Sequence, residues 1–304
     1  INYAIASKDD KTEMFLDYSE LLNALDSGAT AKITINNRRI NRADFEKSIL
    51  LHAAGNELDD LRREYNEMLL DKIIGSKEYN AMLLDKVTDS SNSVVQERYI
   101  TVSVHKKSVE EARAYFARVG TDLTTHLGKL SSFCTELDAT ERLRIFHDFF
   151  RAGEEANFHF DMKSSAKKGH GFKECICPQS LEFKGGYFGM GDKFGRVLYL
   201  REYASYIKDS MISELCELNR NMMLSIDIIP IPTDEAVREM QNKLLGIETN
   251  VSNWQRKQNA ANNFSAVIPY DMELQRKETK EFLDDLTTRD QRMMFVVVTL
   301  VHAA

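Results

Sequence analysis

The spacing of apolar and polar residues predicts strands and helices that alternate along most of the chain. Strict alternation from Met222 to Ile229 is typical of a strand with two different faces. Ser108, followed three residues later by Glu111, is the signature of a capping box that opens a helix. The predicted strands are 31–36, 99–104, 133–136, 196–201, 222–229 and 293–301, and the predicted helices are 14–25, 42–86, 108–130, 138–150, 211–218, 233–254 and 271–286.

Two further patterns refine this outline. Residues 293–301 are apolar at nearly every position, which predicts a central strand covered on both faces. Asn36 and Asn37 together predict a turn. The order of elements indicates an α+β fold with α/β alternation, in which long helical crossovers join the strands of a mixed sheet. We expect two parts: residues 1–94, with a strand and charged helices, and residues 95–304, an α+β domain.

The charged helices contain a tandem repeat. The sequence from Glu64 to Lys72 returns, with one change, from Glu78 to Lys86, an offset of 14 residues. Fourteen residues are close to four helical turns, so both copies present nearly the same face if the helix is continuous. Two copies are too few for a solenoid. We therefore interpret the repeat as a duplication within a surface helix.

Composition excludes several classes of protein. The 304 residues carry 47 acidic and 40 basic side chains, a net charge of −7. An acidic chain is poorly suited to coating a phosphate backbone. Its 4 cysteines are too few and too scattered for a secreted disulfide framework, which favours a reduced, cytoplasmic protein. The longest apolar run, residues 293–301, falls far short of the roughly 20 residues that a spanning helix needs, so no transmembrane segment is predicted.

Motifs for nucleotide binding are missing. A P-loop needs a glycine five residues before a Gly-Lys pair and a hydroxyl residue after it. Gly128-Lys129 is instead followed by Leu130 and preceded at that distance by Leu123. The glycines between residues 185 and 195 precede a strand rather than a helix, which predicts hairpin turns rather than a phosphate loop. We expect no cofactor and no catalytic residue within this sequence.

Metal chemistry is a third-ranked alternative. His147, Glu155 and His159 would be the candidate ligands of a metal-dependent enzyme. The zinc-protease pattern His-Glu-x-x-His is absent, and Cys175-x-Cys177 has the wrong spacing for a zinc knuckle. A charged surface beside a core helix is the simpler interpretation, and we predict no metal ion.

Two surfaces are candidates for contact with partners. In the long helix, apolar residues recur at steps of three and four, a heptad spacing that packs either on the sheet or on a partner. This heptad seam consists of Val237, Met240, Leu244, Ile247, Val251 and Trp254. The basic patch, in a segment predicted to be a loop at 163–173, consists of Lys163, Lys167, Lys168 and Lys173. Such a patch suits single-stranded nucleic acid or anionic lipid, although the acidic chain counts against it.

Long segments of the chain resemble the N-terminal region of the VirB/TrbE/CagE-type traffic ATPases of type IV secretion and conjugative DNA transfer. The likeness is greatest to the branch carried by conjugative elements of Gram-positive bacteria. It spans nearly the whole chain and rests on residues 98–106, 134–151 and 195–203, on 223–230 with the helix after it, and on 282–295.

The resemblance implies a non-catalytic region that docks on inner-membrane channel proteins and on neighbouring subunits, at the cytoplasmic face of the membrane. It also implies that the ATPase motor, with its P-loop, ATP and Mg²⁺, would lie beyond residue 304, so that no catalytic residue of the family is carried over. The second copy of the repeat is a departure from the family pattern. A single-stranded nucleic-acid module that uses residues 163–173 is the alternative function.

Overall fold

The computed structural model describes most of the chain in regular elements. Described are residues 5–39, 51, 55, 58–74, 94–169, 171–203, 208, 210–218, 220–264, 266–289 and 291–303. The helices are α1 (Lys8–Asn23), α2 (Asp59–Ile74), α3 (Val109–Lys129), α4 (Ala139–Phe150), α5 (Met162–Lys168), α6 (Phe172–Ile176), α7 (Ser210–Cys216), α8 (Thr233–Ala260) and α9 (Tyr270–Thr288). The strands are β1 (Ala29–Arg39), β2 (Val94–Val104), β3 (Leu181–Phe183), β4 (Phe188–Met190), β5 (Lys193–Tyr199), β6 (Met222–Pro230) and β7 (Met294–Ala303).

The strands form one sheet in the order β2-β1-β6-β7-β5-β4-β3. The predicted α+β class is confirmed, but the sheet is antiparallel where a mixed sheet was expected. The reason lies in the connections. The helix pair α8–α9 follows β6 and brings the chain back to the end of that strand. There the Ile231 N–H donates to the Met293 carbonyl over 2.9 Å, and β7 then runs antiparallel to β6. A single crossover helix would have given a parallel neighbour.

The chain divides into two compact units, each assembled from three segments. Unit 1 comprises Ile1–Lys32, Ile100–Thr135 and Asp227–Val297, and unit 2 comprises Ile33–Tyr99, Glu136–Ile226 and Val298–Ala304. The boundary predicted after residue 94 does not coincide with these units, since β1 contributes residues to both. The second copy of the tandem repeat lies outside the described residues, and the first copy falls within α2.

Apolar residues described in unit 1 form two clusters. In one, Ile231, Ala236, Met240 and Leu286 are buried together against Val237, Leu283 and Met293. In the other, α3 packs Tyr115 and Val119 on Ala29. The predicted apolar face of α3 contained Phe116, yet that ring is 41% exposed and its neighbour Tyr115 is buried instead. The apolar stripe of α3 is wide enough that either Tyr115 or Phe116 could be buried. Packing of α3 on Ala29 of β1 decides which of the two is buried.

Helix starts follow the sequence closely. Asp138 and Glu141 form a full capping box at α4, with both N–H···O distances at 2.8 Å. At α3, Ser108 Oγ accepts from Glu111 N–H over 3.1 Å. Ser7 caps α1 in the same way, several residues before the predicted start. These caps satisfy backbone N–H groups that a helix start otherwise leaves open.

Unit 2 contains a three-stranded antiparallel meander, in which β3 pairs with β4 and β4 with β5. The glycine-rich segment forms its turns, as predicted. Gly191, at φ +62°, follows β4, and a left-handed residue there permits the tight turn into β5. Gly195 lies directly opposite Phe188, whose ring covers it so closely that a Cβ would overlap the ring.

One predicted strand is wrong, and the predicted cover of another is wrong as well. Residues 133–136 form no strand, and Phe133 is exposed in a connection between helices. The apolar run of β7 occupies the centre of the sheet, but Phe295, Val296 and Val297 are all exposed. Since successive strand residues point to opposite faces, side chains on both faces of the sheet are exposed at this end of β7.

Candidate functional site

A network of polar side chains joins β1 and β2 in unit 2. Arg38 donates from Nε and Nη2 to Glu97 Oε1, over 3.0 and 2.8 Å. The other carboxylate oxygen accepts from the Tyr99 hydroxyl over 2.6 Å. The Arg38 side chain is 18% exposed and that of Glu97 27%, so the ion pair is largely withdrawn from water. Both carboxylate oxygens are therefore used.

The network shifts the acidity of its members. Burial alone would raise the pKa of Glu97, but the hydrogen bonds from Arg38 and Tyr99 outweigh it and leave that pKa below its ordinary value. Burial raises the pKa of Tyr99, and the hydrogen bond to the Glu97 carboxylate raises it further. Glu97 is thus ionised at neutral pH and forms an ion pair with Arg38. Tyr99 is protonated at neutral pH and donates that proton in its hydrogen bond to Glu97.

Asn37 corrects the predicted turn. Both Asn36 and Asn37 lie inside β1 and are buried, and Asn37 Nδ2 donates to the Cys216 carbonyl at the end of α7 over 2.6 Å. Gln96 Nε2 donates to the same carbonyl over 3.2 Å. Both side-chain amides thus donate to a backbone carbonyl that the end of α7 would otherwise leave without a partner. This role becomes visible only when α7 is seen packed beside β1 and β2.

His147 is the most deeply buried polar side chain of α4, with 1% exposure. Its Nδ1 lies 3.2 Å from Asp148 Oδ1, and its ring meets Phe158 edge-on at 5.2 Å between centroids. Burial raises the pKa of Asp148, against the opposing effect of the hydrogen bond from His147. The Asp148 charge also acts on Tyr99, which places this pair beside the β1–β2 network.

A polar cleft of about 360 Å³ opens beside the end of α4. It brings together residues from α4, from the segment 157–161, from α5 and from α6. The lining residues are His147, Arg151, Asn157, His159, Phe160, Asp161, Ser164, Ser165, Lys168, Gly171, Glu174 and Cys175. We call it the α4–α5 cleft. Sequence analysis singled out two of its histidines as metal candidates but did not anticipate a cleft.

The metal candidates are only partly brought together. His147 and His159 both line the α4–α5 cleft, whereas Glu155 accepts a hydrogen bond from Gly153 N–H over 2.7 Å and is not in its wall. In the described part of the chain, no three His, Cys, Asp or Glu side chains are arranged to hold a metal ion. Burial raises the pKa of the Cys175 thiol, with Arg151 opposing, which favours the protonated form.

The basic patch is helical rather than a loop. Lys163, Lys167 and Lys168 lie exposed on α5, which Asp161 caps by accepting from Lys163 N–H over 3.1 Å. Lys173 lies exposed on α6. Of these four lysines, Lys168 lines the α4–α5 cleft. The patch as a nucleic-acid contact stays a prediction.

The heptad seam faces α9 within unit 1. Val237 and Met240 pack with Leu286 in the apolar cluster described above, and Val251 is buried as well. Leu244, Ile247 and Trp254 are half-buried. Glu248 ties the two helices together by accepting from Arg276 Nε over 2.8 Å. The seam as a partner contact stays a prediction, and its first two residues are committed to the core.

Apolar side chains lie exposed on one face of the β3–β4–β5 meander. Val197 and Tyr199 share a face of β5, because they are two residues apart. The register places Phe183 and Phe188 on the same face, since both align with Gly195 through the β3–β4 and β4–β5 pairs. Phe183, Val197 and Tyr199 are 74%, 51% and 67% exposed. These four apolar residues are called the meander face below.

The segments that carry the family resemblance fall on regular elements: β2, α4, β5, β6, and the end of α9 with the start of β7. Among the helices of the described residues, none combines the length and apolarity needed to cross a lipid bilayer. In comparisons with known proteins, no family model matches the chain, and no curated protein matches it either.

Proposed function

We propose that this chain is a non-catalytic assembly and docking region of a conjugative-transfer ATPase of the type IV secretion kind. It would sit at the cytoplasmic face of the inner membrane, bound to channel proteins and to neighbouring subunits. The family likeness of the five segments suggests this role. The observation that carries the docking part is the meander face, because contiguous exposed aromatic and aliphatic side chains mark surfaces that bind other proteins.

The meander face suits a protein partner better than a small molecule. Its residues lie on one face of a three-stranded sheet, whereas ligand pockets are concave. Tyr199, at 67% exposure, combines a large apolar area with few rotatable bonds, the property that makes tyrosine frequent in interface centres. Phe183, two strands away on the same face, extends the apolar area across the meander.

The test uses two substitutions in adjacent positions of β5. Tyr199→Asp places a charge on the meander face, and Leu198→Asp places the same charge on the opposite face, where Leu198 is also exposed. We expect Tyr199→Asp to weaken capture of the inner-membrane channel proteins of the same transfer system at least about tenfold, and Leu198→Asp to leave capture nearly unchanged. Equal capture by both variants and the unmodified chain would refute the meander face as the docking surface.

The non-catalytic part of the proposal has its own test. We expect no saturable binding of ATP in a calorimetric titration of the 304-residue chain, since its Gly128-Lys129 pair lacks the rest of a P-loop. Saturable 1:1 binding of ATP that inorganic phosphate does not compete would contradict it.

A second candidate function is supported by the exposure of the lysines on α5. If the chain handles single-stranded nucleic acid, binding should fall steeply with salt and with the double substitution Lys163→Gln and Lys167→Gln. Fluorescence anisotropy with a labelled oligonucleotide measures this. Binding that is insensitive to both changes would exclude the basic patch as the contact.

A further inference from the structure

One buried donor of the α4–α5 cleft lacks an acceptor. Arg151 Nε is inaccessible to solvent and has no hydrogen-bond partner within the described structure. An unsatisfied buried donor typically costs on the order of 1–3 kcal/mol, and more when the group is charged. Such groups in folded proteins are usually satisfied by an ordered water molecule or a bound ion. Arg151 also lines the cleft, and its side chain is 27% exposed, so its guanidinium group is only partly satisfied by the protein.

The rest of the Arg151 side chain is held in place. Arg151 ends α4, where its backbone N–H donates to the His147 carbonyl over 2.7 Å. Its Nη2 lies 2.7 Å from Glu154 Oε2. The guanidinium group is thus fixed from one side, so that its orientation is set before any ligand arrives. A pre-oriented guanidinium is well suited to oxyanions, which accept several of its N–H groups at once.

Further donors come from separate parts of the chain. His159 lies on the segment after α4, and Ser165 and Lys168 lie on α5, and all three line the cleft with Arg151. A tetrahedral oxyanion can accept from donors on several elements at once. The volume of about 360 Å³ lies near the lower end of the usual range for small-ligand sites, about 300–1,000 Å³.

Two carboxylates also line the cleft. Asp161 is already occupied as the cap of α5, where it accepts from the N–H groups of Lys163 and Ser164 over 3.1 and 3.3 Å. The hydrogen bond from the Ser164 hydroxyl, reinforced by these two, holds the pKa of Asp161 below its ordinary value, so the carboxylate stays an acceptor directed at the helix. Glu174 contributes a negative charge that opposes an anion, and Lys168 and Arg151 contribute two positive charges to the same wall.

We propose that the α4–α5 cleft binds a phosphate group, carried by inorganic phosphate or by a phosphate monoester, with Arg151 as the principal ligand. This site is separate from the meander face and does not depend on the docking function. The shared chemistry is a tetrahedral dianion. Its source, a soluble molecule or the headgroup of a phosphatidate lipid, is a matter for the experiment.

The experiment titrates the full 304-residue chain with inorganic phosphate at neutral pH and measures heat. We expect saturable 1:1 binding that weakens about tenfold or more in Arg151→Gln. The matched control is Arg142→Gln, because Arg142 is an exposed arginine near the start of the same helix. Lys168→Gln serves as a second variant, since an exposed lysine can be removed without disturbing the fold, and we expect it to weaken binding about threefold.

A second arm identifies the source of the phosphate group. The chain is sedimented with vesicles of phosphatidylcholine containing phosphatidate, and with pure phosphatidylcholine vesicles. Co-sedimentation that requires phosphatidate, is competed by inorganic phosphate and is lost in Arg151→Gln would support a lipid headgroup. Binding of inorganic phosphate without co-sedimentation would support a soluble ligand. Two outcomes overturn the proposal: no saturable binding in either arm, or binding that is unchanged in Arg151→Gln.

Discussion

The ion pair between Arg38 and Glu97 gives a quantitative test of the structure. The substitution is Glu97→Gln, which keeps the size of the side chain and removes its charge. In the folded chain Glu97 accepts from Arg38 over 2.8 and 3.0 Å and from the Tyr99 hydroxyl over 2.6 Å. The glutamine amide offers one oxygen and an NH₂ group in place of two acceptors. The NH₂ group of the glutamine would then face another donor, either Arg38 or the Tyr99 hydroxyl.

The size of the effect follows from the burial of the pair. Hydrogen bonds to charged groups contribute about 1.5–3 kcal/mol, and removing one partner of a fully buried ion pair costs about 3–5 kcal/mol. Arg38 and Glu97 are 18% and 27% exposed, so water compensates part of the loss. We therefore expect Glu97→Gln to lower the free energy of unfolding at pH 7 by about 2–3 kcal/mol.

The loss should depend on pH in a specific direction. The pKa of Glu97 is lowered by folding, so its contribution to stability is complete above the ordinary glutamate pKa, about 4.3, and disappears as pH falls through the lower pKa of the folded state. The stability difference between the unmodified chain and Glu97→Gln should thus be constant from pH 7 to about pH 5. It should shrink as the pH falls below about 4.

The assay is urea unfolding followed by circular dichroism at several pH values. The matched control is Glu281→Gln, because Glu281 pairs with Lys277 at 3.7 Å on the exposed surface of α9, where both side chains are more than half exposed. We expect this exposed pair to contribute less than about 1 kcal/mol. Equal losses in the two variants would refute the argument that burial makes the Glu97 pair strong. A loss in Glu97→Gln that does not diminish at low pH would refute the assignment of its charge.

Three further substitutions test contacts within unit 1 or within unit 2, each by the same unfolding assay. Gly195→Ala should cost about 1–3 kcal/mol, because its Cβ would overlap the ring opposite on β4, whereas Gly186→Ala meets nothing within 4 Å and should cost less than about 0.5 kcal/mol. Met240→Ala should cost about 2–4 kcal/mol in the cluster between α8 and α9, against almost nothing for the exposed Leu245→Ala on the same helix. Asp138→Ala removes the cap of α4 and should cost about 1 kcal/mol. For Gly195→Ala and Met240→Ala, a loss equal to that of the control variant would contradict these contacts. For Asp138→Ala, no loss of stability would contradict the cap.

Local signals account for what sequence analysis predicted well. The caps at Ser108 and Asp138 act within four residues, so their hydrogen bonds are legible in the sequence. The turns of the meander follow from glycine at positions where the chain reverses. Alternation along β6 likewise follows from the two faces of a strand, whatever its neighbours are.

Buried polar residues were predicted least well. Asn37 predicts a turn on local propensity, yet its amide satisfies a carbonyl 179 positions later in the chain, and it lies inside a strand. Local preference is worth a fraction of a kcal/mol, and a buried hydrogen bond that would otherwise be missing is worth more. The sequence did not single out Arg151. Its Nε atom is buried without a hydrogen-bond acceptor, and this is visible only in the folded chain.

The α+β class, the positions of most helices and strands, and the helix caps are legible in the sequence, because they depend on periodicity and on contacts a few residues apart. The direction of the strands, the face of α3 that is buried and the partners of Glu97 depend instead on tertiary contacts. So do the exposure of Phe295, Val296 and Val297 near the start of β7 and the existence of the α4–α5 cleft. These features depend on residues that are distant in the chain, and no local pattern specifies which of them meet.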